Sequence, residues 1–156
     1  MQRSTFFIIQ LIFFSVFTFK AQELNPVPQK VFADKTQAHQ SKKTIILYFY
    51  TDWCSVCRIQ KNVLKQSPEL VEKLKEKAEF ITMNAEAHKE AVTVMGKTYE
   101  YIPNGSSGLH ELAYEFSAEQ QVYPLWVFID PSTGKWSRYE GLLKTEDLEY
   151  ILKANP

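Results

Sequence analysis

A continuous run of six apolar residues, Ile45 to Tyr50, is the strongest constraint that this sequence places on its fold. The run is rich in β-branched and aromatic residues, which favour strands. It shows no alternation of apolar and polar positions, so both faces of the strand are expected to be buried. A strand of this kind belongs in the middle of a parallel or mixed sheet. The run therefore predicts an α/β fold built around this strand.

The segments that follow this strand alternate between helical and strand patterns. Helices are predicted to begin near Cys54, Ser67, Leu109 and Thr145, and strands at Glu79–Asn84, Pro124–Ile129 and Lys135–Glu140. In the first of these helices Val56, Ile59 and Val63 share one face, which we expect to be buried. The order of elements predicts a central mixed sheet flanked by helices, with one antiparallel hairpin near the end of the chain.

Residues 1–21 have the pattern of a secretory signal peptide. A short basic start containing Arg3 precedes an almost entirely apolar stretch from Phe6 to Phe19, and the small residue Ala21 follows. This stretch is shorter than the about 20 residues that span a bilayer. We therefore expect cleavage after Ala21, a periplasmic or secreted product, and one domain over residues 22–156. A retained N-terminal anchor is the alternative, because the two residues before Ala21 are not small.

The charge of the chain excludes some classes of partner. Without residues 1–21, which contain Arg3 and Lys20, 16 Lys and Arg residues stand against 18 Asp and Glu residues. This slightly acidic balance gives no reason to expect nucleic acid or an anionic membrane surface as a partner.

The only two cysteines, Cys54 and Cys57, are three positions apart. A disulfide between them closes a loop too short to constrain the unfolded chain, so the pair is expected to serve chemistry. Cys54 falls where the buried strand ends and a helix begins. The free N–H groups and positive dipole at a helix start stabilise a thiolate. We expect an exposed Cys54 to attack a partner disulfide, and a buried Cys57 to resolve the mixed disulfide.

A metal is the alternative ligand for a pair of cysteines. Zinc needs two further ligands, and the three histidines, His39, His88 and His110, include no pair with zinc-site spacing. We therefore expect no zinc, with His39 and His88 solvated and His110 capping or packing a helix. A redox-inert module that holds copper(I) or a partner protein through the same thiolates is the other functional class.

Trp53–Cys54–x–x–Cys57 after a buried strand, with Tyr123–Pro124 opening a later strand, resembles the thioredoxin superfamily over residues 40–153. The motif is similar to that of small exported thioredoxin-like and disulfide-isomerase-like proteins. It is also similar to the C-terminal domain of the transmembrane thiol–disulfide interchange reductase. The resemblance implies a thioredoxin fold with a cis bond before Pro124. It also implies substrate contacts at Trp53, Tyr123 and Pro124.

The same resemblance implies an activity. The pair alone could serve a reductase, an isomerase or an oxidase, and the resemblance favours an exported thiol–disulfide oxidoreductase that is a reductase or an isomerase. We expect a monomer without a cofactor. Its substrates would be protein thiols and disulfides, its electron donor a membrane thiol–disulfide reductase, and cytochrome c biogenesis one process that it serves. Pro124 lying against the Cys54–Cys57 bridge would occupy the approach that copper(I) needs, which disfavours the metal-binding alternative.

Two positions depart from the superfamily pattern. Members often carry a buried acid six residues before the first cysteine, and the interchange-reductase branch carries another acid seven residues after it. Here these positions hold Tyr48 and Lys61. Lys61 lies one helical turn after Cys57, so we expect its ammonium to favour the thiolate, with a solvated surface lysine as the alternative.

Residues 85–109 have no clear period and are predicted to form a loop inserted before the Pro124 strand. Tyr99, Tyr101 and Ile102 could form a binding edge beside the cysteines, and a loop packed by its own aromatic residues is the alternative. Among the remaining candidates, Asp52 is expected to cap the Cys54 helix, and Trp126 and Trp136 are expected to be core or sheet residues.

Overall fold

A computed structural model describes residues 30–31, 35–41 and 43–154, and its order of strands and helices matches the predicted one except over residues 85–109. In chain order the elements are β1 (Lys30–Val31), α1 (Lys35–Gln40), β2 (Thr44–Tyr50), α2 (Ser55–Gln66), α3 (Pro68–Lys77), β3 (Ala78–Asn84), β4 (Val92–Val94), β5 (Lys97–Tyr99), β6 (Tyr101–Asn104), β7 (Ser107–His110), α4 (Glu111–Phe116), β8 (Leu125–Ile129), β9 (Trp136–Glu140) and α5 (Thr145–Ala154). None of these helices is long and apolar enough to cross a bilayer. The predicted signal peptide lies outside the described residues.

Strand β2 lies inside a four-stranded sheet with the order β3-β2-β8-β9. It runs parallel to β3 and antiparallel to β8, and β8 pairs with β9 as an antiparallel hairpin. Every residue from Ile45 to Tyr50 is buried, which confirms the prediction from the apolar run. The sheet is mixed, as the sequence indicates.

The core centres on an aromatic stack across β2, β8 and β3. Trp126 is fully buried and lies directly opposite Tyr48 in the β2–β8 register. Its ring centre is 4.5 Å from that of Tyr48 and 6.3 Å from that of Phe80. Aromatic pairs of this kind add about 0.5–1.5 kcal/mol to the burial of their area. Trp136, in contrast, is a half-exposed sheet residue whose ring packs edge-on against Phe116.

The face of α2 that packs into the protein is not the one that its apolar residues predict. Val56 and Ile59 are 37% and 52% exposed, whereas Gln60 is fully buried beside Cys57. The Gln60 amide donates to the Leu143 carbonyl at 3.0 Å and accepts from the Leu143 N–H at 2.8 Å. These two bonds satisfy a buried polar group. Gln60 can therefore lie on the buried face of α2 although its side chain is polar.

Helices α3 and α5 follow their predicted patterns apart from their caps. Pro68 opens α3, and the predicted apolar residues of both helices are buried or half-buried, namely Leu70, Val71, Leu74, Leu148, Ile151 and Leu152. The Ser67 hydroxyl makes no cap bond and instead lies 3.5 Å from the Thr145 hydroxyl. Thr145 is the first residue of α5, and the Asp147 carboxylate accepts from the Lys144 N–H at 3.0 Å.

The predicted loop over residues 85–109 is instead built from two short hairpins. Strands β4 and β5 pair with each other, β4 also pairs with β1, and β6 pairs with β7 in a separate two-stranded sheet. Gly105, at φ 59°, lies in the β6–β7 turn, where its positive φ favours glycine. Leu109 belongs to β7 and not to a helix, because α4 begins only at Glu111.

His110 caps α4, which confirms its predicted capping role. Its Nδ1 accepts from the Leu112 N–H at 3.2 Å, so Nε2 carries the proton and donates to the Glu90 carbonyl at 3.0 Å. Burial, aided by the nearby His88, lowers the pKa of His110 below 6.5, against the opposite influence of Glu90 and Glu111. His88 is not the solvated residue expected, because its ring lies 5.5 Å from the His110 ring and is half-buried.

This neutral cap predicts a stability that falls on acidification. Below about pH 6.5 the unfolded chain takes up a proton that the folded His110 excludes, so stability is present above this pH and is lost as pH falls towards the lowered pKa. The melting temperature of the wild type should therefore fall between about pH 7.5 and 5.5. In His110→Asn the amide oxygen keeps an acceptor for the cap without a titrating ring, so the fall should be smaller. Equal falls in melting temperature for the wild type and His110→Asn would contradict the assignment of this pH dependence to His110.

Candidate active site at the start of helix α2

Cys54 is the N-cap of α2 and takes the place of the usual capping oxygen. Its backbone is extended, and its carbonyl accepts from the Arg58 N–H at 3.3 Å. The Cys57 N–H donates to the Cys54 Sγ at 3.0 Å, and the two sulfurs form a disulfide. The first turn of α2 contains no acidic residue. After reduction, the same N–H and the helix dipole are placed to stabilise a thiolate at Cys54.

The exposure of the two cysteines differs from the prediction. Cys57 is 1% exposed, as expected, but Cys54 is only 4% exposed. Both belong to the main hydrophobic core. The exposed residues of the motif are Trp53, at 64%, Ser55 and Val56. The order of attack therefore rests on the position of Cys54 at the helix start and not on a difference in burial.

Asp52 does not cap α2, contrary to expectation. Its carboxylate accepts from the Asn84 side-chain amide at 2.9 Å. The Asn84 oxygen in turn accepts from the N–H groups of Glu86 and Ala87, both at 3.1 Å. Tyr50 and Asn84 are partners in the parallel β2–β3 register, so the segments after both strands lie at one edge of the sheet. This network joins the segment before Cys54 to the turn after β3.

Trp53, Tyr123 and Pro124, all predicted as substrate contacts, lie together at this edge. The Trp53 and Tyr123 rings meet edge-on with their centres 6.1 Å apart. The Tyr123–Pro124 bond is cis, as the resemblance implies, and the Pro124 carbonyl accepts from the Gly141 N–H at 2.8 Å. Burial, together with the charge of Glu86, raises the pKa of Tyr123 to about 12. The phenol is therefore neutral at physiological pH.

Glu86 is a site residue that the sequence analysis missed. Its two carboxylate oxygens lie 3.0 and 3.1 Å from the Trp53 Nε1, which donates to them. The bond orients the exposed indole beside Cys54. The position of Glu86, two residues after β3, indicates that it lies near the residues that follow β2. The carboxyl ends of neighbouring parallel strands meet at one edge of a sheet.

Tyr48 occupies the place where related proteins often hold a buried acid. Its hydroxyl donates to the Cys57 carbonyl at 3.3 Å. Burial, with a smaller contribution from Tyr50, raises the pKa of this phenol well above its usual value of 10.0. A phenol that stays neutral anchors α2 to β2 but cannot accept a proton from Cys57 while the thiols titrate.

Comparisons with known proteins decide the family. A family model described as a thioredoxin-like domain matches residues 18–155. The chain belongs to this thioredoxin-like family. It has the thioredoxin fold that its motif predicts, and a thioredoxin-like domain with a Cys-x-x-Cys pair supports a redox role. No curated protein matches the chain.

Solved structures similar to this thioredoxin-like chain include three bacterial proteins. A thioredoxin-fold protein from Helicobacter pylori is 19% identical, covering 85% of this chain and 89% of that chain with a TM-score of 0.49. An exposed lipoprotein thioredoxin from Streptococcus pneumoniae is 18% identical, covering 77% and 89% with a TM-score of 0.48. The oxidised DsbD C-terminal domain of Neisseria meningitidis is 19% identical, covering 78% and 89% with a TM-score of 0.46.

The position of Lys61 in this thioredoxin-like domain is set by an aromatic ring. Its ammonium lies 3.2 Å from the centre of the Tyr50 ring, a cation–π contact, and the residue is half-buried. The contact holds the charge one helical turn after Cys57. Its influence on the thiols stays a prediction.

The predicted binding edge of the insertion is only partly available. Tyr99 is buried and Tyr101 is half-buried, because both pack within the hairpins, whereas Ile102 is 47% exposed. Within residues 30–31, 35–41 and 43–154 no three His, Cys, Asp or Glu residues are grouped so that they could hold a metal ion.

The position of Cys54 as the N-cap predicts that it reacts first with an alkylating agent. Reduced protein treated with limiting iodoacetamide at about pH 6 should carry about tenfold more adduct on Cys54 than on Cys57. This ratio corresponds to about 1.4 kcal/mol, which a helix terminus can supply. Peptide mapping by mass spectrometry measures it, with Cys54→Ser and Cys57→Ser as matched controls. Preferential labelling of Cys57 would reverse the assigned roles.

Proposed function

We propose that this protein is an exported thiol–disulfide oxidoreductase, a reductase or an isomerase, that acts on protein disulfides through Cys54 and Cys57. The observation that carries the proposal is the placement of the Cys54 sulfur. It caps α2 and accepts from the Cys57 N–H, and the neighbouring Trp53 ring contacts Tyr123 of the cis Tyr123–Pro124 bond. After reduction, the sulfur of Cys54 would be a nucleophile beside the exposed Trp53 ring, on which a polypeptide can bind.

The proposed reaction has two exchange steps. The Cys54 thiolate attacks one sulfur of a substrate disulfide, and the other substrate sulfur leaves as a thiolate. Cys57, once deprotonated, attacks the Cys54 sulfur of the mixed disulfide, so that the second substrate sulfur leaves. The substrate gains two electrons and the protein ends as the Cys54–Cys57 disulfide. An isomerase follows the same first step, with another substrate thiol resolving the intermediate.

The location and the electron donor are further parts of the proposal. The signal-peptide pattern of residues 1–21 supports export to the periplasm or beyond. There the oxidised pair needs a reductant, and we propose a membrane thiol–disulfide reductase as the donor. The protein would act as a monomer, and cytochrome c biogenesis is one process in which such a reductase serves.

Removal of the resolving thiol tests this function directly. Wild-type protein should reduce insulin disulfides with dithiothreitol as donor, and Cys54→Ser should not. Cys57→Ser should accumulate mixed disulfides with exported proteins, because nothing within the protein releases them. Non-reducing gels with and without dithiothreitol measure the trapped species. Trapping by Cys54→Ser alone would contradict the order of attack, and no turnover by the wild type would favour the binding-module alternative.

The charge of Lys61 predicts that the Cys54–Cys57 disulfide is more oxidising than the disulfide of thioredoxin. The reduction potential of thioredoxin is about −270 mV. A nearby ammonium favours the thiolate, which stabilises the reduced state. Lys61→Glu should make the potential more negative by some tens of millivolts, since about 1.4 kcal/mol corresponds to about 30 mV. Lys61→Met separates loss of charge from a new acid. Equilibration with glutathione measures the potentials, and equal values for all three proteins would show that Lys61 does not act on the pair.

A further inference from the structure

A cavity of about 330 Å³ lies between the turn after β3 and the β6–β7 hairpin of the insertion. Three residues of its lining are apolar or aromatic, namely Ile102, Leu109 and Tyr114. The polar residues of the lining are Glu86, Asn104, Ser107 and Gln121. Its volume is at the lower end of the about 300–1,000 Å³ of ligand pockets, so it suits one side chain.

The cavity is continuous with the candidate active site through Glu86. This residue lines the cavity and also holds the Trp53 indole through its hydrogen bond. Trp53 in turn contacts Tyr123 of the cis Tyr123–Pro124 bond. The cavity therefore lies within reach of a side chain close in sequence to a cysteine that is bound at Cys54.

The chemistry of the lining selects a cation with an apolar stem. Within residues 30–31, 35–41 and 43–154 no Lys or Arg side chain forms an ion pair with Glu86. Its oxygens accept from one indole N–H, and a carboxylate has about four acceptor positions, so capacity for further donors remains. The ring of Tyr114 is 63% exposed and offers a face for stacking. Ile102 and Leu109 can cover the methylene groups of a long side chain.

We propose that this cavity is a recognition site for an arginine side chain of the protein substrate, near the cysteine that Cys54 attacks. The inference rests on the proposed function. A guanidinium matches the site better than an ammonium does. It can form parallel hydrogen bonds with the Glu86 carboxylate, stack on Tyr114, and donate its remaining N–H groups to the amide oxygens of Asn104 and Gln121.

The pairing of β6 with β7 fixes the part of the cavity lining that this hairpin supplies. Strands β6 and β7 pair over four residues, from Tyr101 opposite His110 to Asn104 opposite Ser107. A Cβ at Gly108 would overlap the Tyr101 ring and the Ile102 carbonyl, so only glycine fits beneath that ring. The insertion thus supplies a fixed surface beside a redox site.

Disulfide-linked peptide dimers test the site. Each chain carries one cysteine and one arginine at two to five positions from it, and the matched peptides carry citrulline, which has the same shape without charge. Reduction of a dimer by the reduced protein consumes two electrons and yields two thiols. At the best spacing the arginine dimer should be reduced about fivefold faster than the citrulline dimer. A fivefold ratio corresponds to about 1 kcal/mol, which a partly exposed charge pair can contribute. The ratio should shrink at about 0.5 M salt.

Two variants assign the effect to the cavity. Glu86→Gln keeps an acceptor for the Trp53 indole but removes the charge. The ratio of the reduction rates of the arginine and citrulline dimers should therefore fall to about one. Tyr114→Leu keeps an apolar wall and removes the ring, so the ratio should fall about twofold or more. Glu76→Gln, on α3 and outside the cavity lining, is the matched control and should leave the ratio unchanged. An arginine preference that survives Glu86→Gln would overturn the proposal.

A redox-inert measurement separates this inference from the proposed function. Peptides with serine in place of cysteine are titrated into the protein, and NMR shifts of Ile102, Leu109 and Tyr114 report binding. Shifts that are larger with arginine than with citrulline support the cavity even if no dimer is reduced, an outcome that would contradict the proposed function alone. Reduction of both dimers at equal rates without such shifts would contradict the cavity alone, and failure of both measurements would contradict both proposals.

Discussion

The pairing of β2 with a parallel neighbour on one side and an antiparallel neighbour on the other determines where every part of the site lies. Tyr50 pairs with Asn84 of the parallel strand β3, so the chain leaves both strands at the same edge. Phe49 pairs with Leu125 of the antiparallel strand β8, so the chain enters β8 at that edge through Pro124. The residues that follow β2 and β3 and those that precede β8 therefore meet at one edge of the sheet.

Features that depend on local sequence could be predicted, and features that depend on a distant partner could not. The apolar run of β2 and the helix start at Cys54 are visible in consecutive residues. The inner face of α2 is not, because Gln60 is buried only by virtue of its two bonds to the backbone of Leu143. Hydrophobicity alone assigns the inner face of α2 to Val56 and Ile59. In the structure both side chains are exposed, as is Trp53.

The insertion and Glu86 show the same limit at the site itself. Strands of three or four residues are too short to display an alternating pattern, so β4 to β7 leave no periodic signal. His110 was predicted as a cap from its place at a helix start, but its bond to the Glu90 carbonyl needs the folded hairpin. Glu86 becomes a partner of Trp53 only because β2 and β3 are parallel, which no window of sequence shows.

The absence of an acid at position 48 changes how the proposed reaction handles its protons. Cys54 can lose its proton with help from the helix terminus and from the Cys57 N–H. Cys57 lies within the helix and is fully buried, and its carbonyl accepts from the neutral phenol of Tyr48. That phenol donates a hydrogen bond and takes no proton in the range where thiols titrate. Tyr48 therefore cannot act as the base that a buried acid would be at this position, and the proton of Cys57 must pass to water or to another group.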